Sequence, residues 1–397
     1  MTERNLDFDR IINRKNTDCL KYDFAVKRGM PADVLPLWVA DMDFETSSYI
    51  EDALVERAKM GIYGYSDAQT PYFEAVAGWM KRHHNWEPKE EWLIKTPGVV
   101  FALAMAVKAY TAPGDAVLIQ SPVYYPFSEV IADNGRRVVS STLVLGDDNR
   151  YHMDVADFEE KLKAENVKLF FLCNPHNPVG RVWTEDEIAK LGAICAKHNV
   201  IVVSDEIHSD LIMPGHKHVA FANACKDALP KYLVCTAPSK TFNLATLQTS
   251  NIVIPDEELR TKFQSILQQH FTPSAGALGL EACRLGYTEC EGWLAEVIDL
   301  IYKNYKNFCK FIDVNCPGVT YSDLQGTYLM WIDCTTFGLD DEALDKLLRK
   351  HDLFCDAGTL FSQGGTMHTR VNLAGPEKML NAAMQRFKDA YDEAKNA

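Results

Sequence analysis

No apolar run in this chain approaches the roughly 20 residues that a membrane-spanning helix requires, so no membrane partner is expected. Basic residues are in deficit: 41 Lys and Arg stand against 55 Asp and Glu, a formal net charge of −14. Phosphate backbones are gripped by clustered cations, so nucleic acid is not expected as a partner either. The 11 cysteines never pair as CxxC, and several lie in apolar runs, such as Cys173 in KLFFLCNP and Cys235 in YLVCTA. That usage argues against a disulfide framework and fits buried free thiols in a reducing compartment. The first residues, MTERNLDFDRIINRKN, are charged and hold no apolar core, so no secretory leader is expected and the cytoplasm is the expected location. There is no GxGxxG, P-loop, HExxH or GxSxG motif, which removes the fingerprints of the common dinucleotide, nucleotide, zinc-protease and serine-hydrolase sites. His83-His84 and the His216/His218 pair fall in polar stretches and read as surface residues; no metal site is expected.

What is present reads as an α/β protein. A chain of 397 residues exceeds one comfortable core, which predicts two domains. Short apolar runs start at Ala116, Lys168, Asn199, Lys231 and Ser250, each bounded by Pro, Asn or Asp, the pattern of buried strands in a mainly parallel sheet. Between them, Thr184 and Glu187 have capping-box spacing and predict a helix running to His198, with Asn199 closing the turn. The stretch after Gly98 is apolar nearly all round and predicts a buried helix. From about Glu289 the pattern changes to long charged helices broken by strands such as TYLMWIDC. The expected division is a large domain over 46–288 and a small α+β domain from 1–45 and 289–397.

Five segments at strand ends carry the chemistry, where open α/β sheets place their ligands. Asp205 follows a strongly apolar strand in VVSDEIHSD; it is either an exposed strand-end carboxylate or one that meets a cation, such as a protonated pyridine nitrogen. His208, three residues on, can face the same ligand. Lys240, between Ser239 and Thr241, also follows a buried strand. It is either a loop lysine or an amine of depressed pKa suited to a Schiff base. Asn174-Pro175-His176-Asn177-Pro178-Val179-Gly180 predicts a rigid turn with two amide side chains to present. Gly98-Val99-Val100 opens the buried helix, where free amides and the dipole make a phosphate seat. Arg370 in TRVNLAG offers a planar fork for a carboxylate, or else a surface salt bridge.

In the order Gly98, Asn177, Asp205, Lys240, Arg370, these segments resemble the fold-type I pyridoxal-phosphate enzymes, the aminotransferase class I/II superfamily, over essentially the whole chain. LPLWVADMDFET, YGYS at Tyr63, SDEIHSDL and SKTFN are similar to the MalY/PatB-type cystathionine β-lyase (C–S lyase) branch. The resemblance implies a large domain built on a mainly parallel seven-stranded sheet, pyridoxal 5′-phosphate as cofactor, and an amino acid as substrate. It further implies that Lys240 carries the cofactor and shuttles the Cα proton. Asp205 would pair with the ring nitrogen, Asn177 and His208 would meet the phenolic oxygen, and Tyr124 would stack on the ring. Val99, Val100 and Ser239 would hold the phosphate, and Arg370 with the backbone near Ala40 would hold the substrate carboxylate. Tyr65 would reach the phosphate of a neighbouring subunit, which implies a homodimer with shared sites.

Three positions depart from the superfamily pattern: Ala237 where Ser is common, Gln248 where Arg is common, and Thr246 where a small residue is common. Ser239 and Thr241 are then expected to take more of the phosphate contacts. The activity implied is β-elimination from an S-substituted cysteine to thiol, pyruvate and ammonia. An aminotransferase using the same residues, and a regulatory binding protein on the same scaffold, are the alternatives.

Overall fold

The computed structural model describes residues 4, 7–31, 33–226, 231–272 and 275–396. Seven strands form the main sheet: β1 (Leu93–Thr96), β2 (Ala116–Ser121), β3 (Arg137–Thr142), β4 (Val167–Cys173), β5 (Ile201–Asp205), β6 (Tyr232–Thr236) and β7 (Ser250–Val253). Their spatial order is β1-β7-β6-β5-β4-β2-β3. β7 runs antiparallel to both its neighbours, and the remaining pairs are parallel.

The apolar runs are continuous because helices cover both faces. Leu118, Phe170, Leu172, Val202 and Val234 point one way, against Ile188, Leu191 and Cys195 of the helix Glu185–Lys197. Val117, Ile119, Leu169, Phe171, Val203 and Leu233 point the other way, against Ala102, Leu103, Ala106 and Val107 of the helix Val99–Tyr110. This is the two-residue alternation of a strand with both sides buried. The five strands expected from sequence are all present. β1 and β3 were not anticipated, because they lie at the two edges, are only partly buried and lack a long apolar run. The capping box forms in full: Thr184 Oγ1 accepts from Glu187 N, and Glu187 Oε2 accepts from Thr184 N. Asn199 takes the left-handed conformation (φ 55°) that ends this helix.

After the helix Ala277–Glu289, the helix Glu291–Asn315 leads into a four-stranded antiparallel sheet made of Thr320–Tyr321, Leu329–Asp333, His368–Asn372 and Asp356–Ala357. Leu35–Pro36 pairs in parallel with Leu353–Phe354, so the N-terminal segment packs with the C-terminal part of the chain. Among the described residues, no helix is long and apolar enough to cross a membrane.

Two of the four histidines read as surface residues are buried. His84 Nε2 lies 2.8 Å from Asp210 Oδ1, and His218 Nε2 lies 3.0 Å from Glu206 Oε2. A polar stretch is no obstacle to burial when a distant segment supplies the carboxylate.

Candidate active site

β4, β5 and β6 end level, with Cys173, Asp205 and Cys235 opposite one another in the ladder. Everything that follows these strands therefore converges on one edge. A cavity of about 350 Å³ opens there, lined by Ala40, Gly98, Val99, Val100, Tyr124, Asn177, Asp205, His208, Ser239 and Lys240 among others. These ten residues, all named from the sequence, thus meet in one place although they are spread over 200 positions of the chain.

Lys240 sits in the short helix Pro238–Thr241 directly after β6. Its Nζ donates to the carbonyl of Ala40 at 2.5 Å. Burial lowers its pKa to about 8; Asp41 and Asp205 pull it upward, and Arg370 pushes it further down. Asp205 is buried, and its Oδ1 accepts from the amide of Ile207 at 3.1 Å. Burial raises its pKa to about 7, with Glu206 adding to the rise and the Ile207 amide and Lys240 opposing it. No cation donates a hydrogen bond to this carboxylate among the described residues, so it is held ready for one.

Asn177 lies in a loop whose two Asn–Pro peptides are both cis. Gly180 closes that loop at φ 74°, where a Cβ would come within 2.9 Å of Leu324. Asn177 Oδ1 accepts from Arg370 Nη1 at 3.0 Å. The Nη2 of Arg370 donates to the carbonyl of Trp38 at 2.8 Å and to Asp356. Arg370 is therefore a buried group behind the Asn177 wall and no surface salt bridge. His208 Nδ1 is buried and has no partner among the described residues, and burial followed by the charges of Lys240 and Arg370 holds the ring well below its ordinary pKa. The phenol of Tyr124 is raised, chiefly by burial.

One expectation differs. Thr241 does not line the cavity; its hydroxyl donates to Asp210 at 2.7 Å, and Gln248 and Thr249 line the wall instead. Tyr65 is fully exposed and lies outside this chain's own cavity. Sequence reading missed Tyr328, whose hydroxyl shares the Ala40 carbonyl with Lys240 at 2.7 Å, and Asp356, the ion-pair partner of Arg370. Tyr328 directly precedes the strand Leu329–Asp333 and Asp356 opens the strand Asp356–Ala357, but what each one faces is supplied by another segment, so no local pattern pairs them.

The aminotransferase class I and II family model matches residues 32–387. Over 386 residues, the chain is 40% identical to the cystathionine beta-lyase PatB of Bacillus subtilis, covering 97% of this chain and 100% of that one. The crystal structure of cystalysin from Treponema denticola, which contains a pyridoxal 5′-phosphate cofactor, is similar with a TM-score of 0.94 and 36% identity, covering 98% of this chain and 100% of that one. The pyridoxal-phosphate-bound C–S lyase from Staphylococcus hominis gives a TM-score of 0.92 at 31% identity, with 98% of each chain covered.

Proposed function

From the premise that the chain belongs to the aminotransferase class I and II family, in its PatB-like branch, we propose that it is a pyridoxal-phosphate-dependent carbon–sulfur β-lyase. It cleaves L-cystathionine or a related S-substituted cysteine to thiol, pyruvate and ammonia. The observation that carries the reading is a buried amine of lowered pKa, Lys240, in the same cavity as a buried carboxylate without a cation, Asp205. The full-length likeness to proteins named cystathionine beta-lyase and C–S lyase favours elimination over amino-group transfer.

The residues present fit the cofactor. Asp205 suits a protonated ring nitrogen, because only a cation offsets the penalty its burial imposes. The partnerless His208 Nδ1 and the amide of Asn177 suit the phenolic oxygen, and Tyr124 suits the ring face. The amides of Val99 and Val100, at the start of a 12-residue helix, suit the phosphate together with Ser239. Gln248 lines the wall where superfamily members often carry Arg, so neutral donors and the helix dipole take more of the phosphate charge. When bound, pyridoxal phosphate supplies an electron sink that acidifies the substrate's Cα–H and labilises a β-leaving group.

The chain's own residues then do the rest. Arg370, fixed by Trp38, Asn177 and Asp356, holds the substrate carboxylate beside the Ala40 backbone. Lys240 Nζ, brought close to neutrality by burial, takes the Cα proton. We take residues 46–288 as the cofactor-binding domain, with 1–45 and 289–397 as the small domain, and the protein as a cytoplasmic homodimer. The exposed side chains of Met60, Ile62, Tyr63 and Tyr65 support a dimer in which Tyr65 completes the partner's site.

The test uses purified protein with L-cystathionine, and separately an S-alkyl-cysteine, without any keto acid. Continuous equimolar release of thiol, pyruvate and ammonia, lost in Lys240→Ala, is the expected result. A single turnover that stalls until a keto acid is added would identify an aminotransferase instead.

A further inference from the structure

Lys21 is completely buried, in an N-terminal segment made mostly of turns. A buried ammonium is costly unless it is paired and hydrogen-bonded. Its Nζ donates to Asp43 Oδ2 at 2.5 Å and lies 3.3 Å from both the carbonyl and a carboxylate oxygen of Asp41. Arg14 closes the other side, with Nη2 at 2.6 Å from Asp41 Oδ2 and Nη1 at 2.8 Å from Asp43 Oδ1. The Tyr22 hydroxyl donates to Asp43 at 3.1 Å. Two cations and two carboxylates thus form one cluster beneath the loop 38–43.

That loop is the wall of the site. Its Ala40 carbonyl accepts from Lys240, and its Trp38 carbonyl accepts from Arg370. Neutral contacts already anchor its backbone: Asn372 Nδ2 holds the carbonyls of Val39 and Asp41 at 2.7 Å, and Asn243 holds both polar groups of Met42 at 3.0 Å. Buried ion pairs are poor sources of net stability compared with apolar packing. What the cluster adds to an already anchored loop is charge, one residue from the acceptor of the lysine.

Resting on the lyase reading above, we propose that Arg14 and Lys21 are positioning residues for Lys240. They hold Asp41 as a shielded counter-charge beside it and so set the pH at which Nζ gives up its proton. The charged and titratable groups facing Lys240 are Asp41, Asp205, Arg370, His208 and Tyr328; those facing Asp41 are Arg14, Lys21, Tyr22, Tyr328 and Lys240 itself. Burial by itself would raise the Asp41 carboxyl, yet the hydrogen bonds and charges of Arg14 and Lys21 bring it below its ordinary range. The Lys240 amine feels Asp41 as its largest upward pull. Removing a cation of the cluster unshields that pull, whereas removing the Asp41 charge abolishes it.

The experiment compares full-length, cofactor-loaded wild type with Lys21→Met, Arg14→Gln, Arg14→Lys and Asp41→Asn. The readouts are the pH midpoint of the visible absorption change and kcat and KM against pH. Lys21→Met and Arg14→Gln are expected to move the midpoint up and Asp41→Asn to move it down, each by about one pH unit. Arg14→Lys keeps the charge and is expected to stay at the wild-type midpoint. The acid limb of kcat should follow these midpoints while KM stays within about twofold. Shifts of one sign in all variants, or lowered thermal midpoints with an unmoved absorption midpoint, would make the cluster a structural brace only. If Lys21→Met does not fold, the Arg14 pair decides, because Arg14 is partly exposed and its two variants differ in charge. A wild type that takes up no cofactor overturns the lyase reading and this inference with it; normal uptake with unmoved variants overturns the inference alone.

Discussion

Replacing Asp205 with Asn is expected to act with opposite signs on the protein without and with its cofactor. The Asp205 carboxyl rises from 3.8 to about 7, mainly through burial. Between those values the folded protein keeps a proton that the unfolded chain has released. The stability linked to that proton is complete below about pH 4 and is lost as pH rises to about 7. Asn, which accepts the same bond from the Ile207 amide, suffers no such loss. The gap between variant and wild type should be near zero at about pH 4 and grow to about 4 kcal/mol above pH 7, at some 1.36 kcal/mol per pH unit. For a chain of this length, that corresponds to roughly 5 °C in the thermal midpoint. Calorimetry of both cofactor-stripped proteins from pH 4 to pH 8 measures it. With pyridoxal phosphate added, the order should reverse, because Asn cannot offset a protonated ring nitrogen. A gap independent of pH, or a stripped variant less stable than wild type at pH 8, would refute the claim that Asp205 is a carboxylate awaiting a cation.

Two further outcomes follow from the same geometry. Arg370→Lys keeps the charge but loses the fork that spans Asn177, Trp38 and Asp356, so kcat/KM should fall about 10–100-fold, mainly through KM; an unchanged KM would remove Arg370 from substrate binding. Co-refolding Lys240→Ala with Tyr65→Phe should restore roughly a quarter of the wild-type activity if each site borrows Tyr65 from its partner, since hybrids then carry one intact site. No recovery in mixed dimers would place Tyr65 outside the neighbouring site.

The residues that converge on the cavity were legible because chemistry and fold share one local signal. A strand buried on both faces must be apolar, so Asp205 after IVVS and Lys240 after YLVCTAP stand out where the chain turns polar. Parallel neighbours then bring those ends to the same edge. The edge strands β1 and β3 carried no such signal, since half-buried strands tolerate Lys95, Arg137 and Ser140. Gln248, flagged only as a departure from a pattern, proved to line the cavity, whereas Thr241 turned away to Asp210.

The sequence by itself determined the five inner strands of the main sheet, their apolar layers and the polar residues that punctuate their ends, because these depend on neighbours within a few positions. Tertiary structure alone decided which polar groups are buried and what each one faces. His84 meets Asp210, His218 meets Glu206, Arg370 meets Asp356, and Lys21 and Arg14 meet Asp41 and Asp43. The physical reason is that burying a charge is unfavourable until a partner arrives, and the partner comes from a segment that only the folded chain brings near.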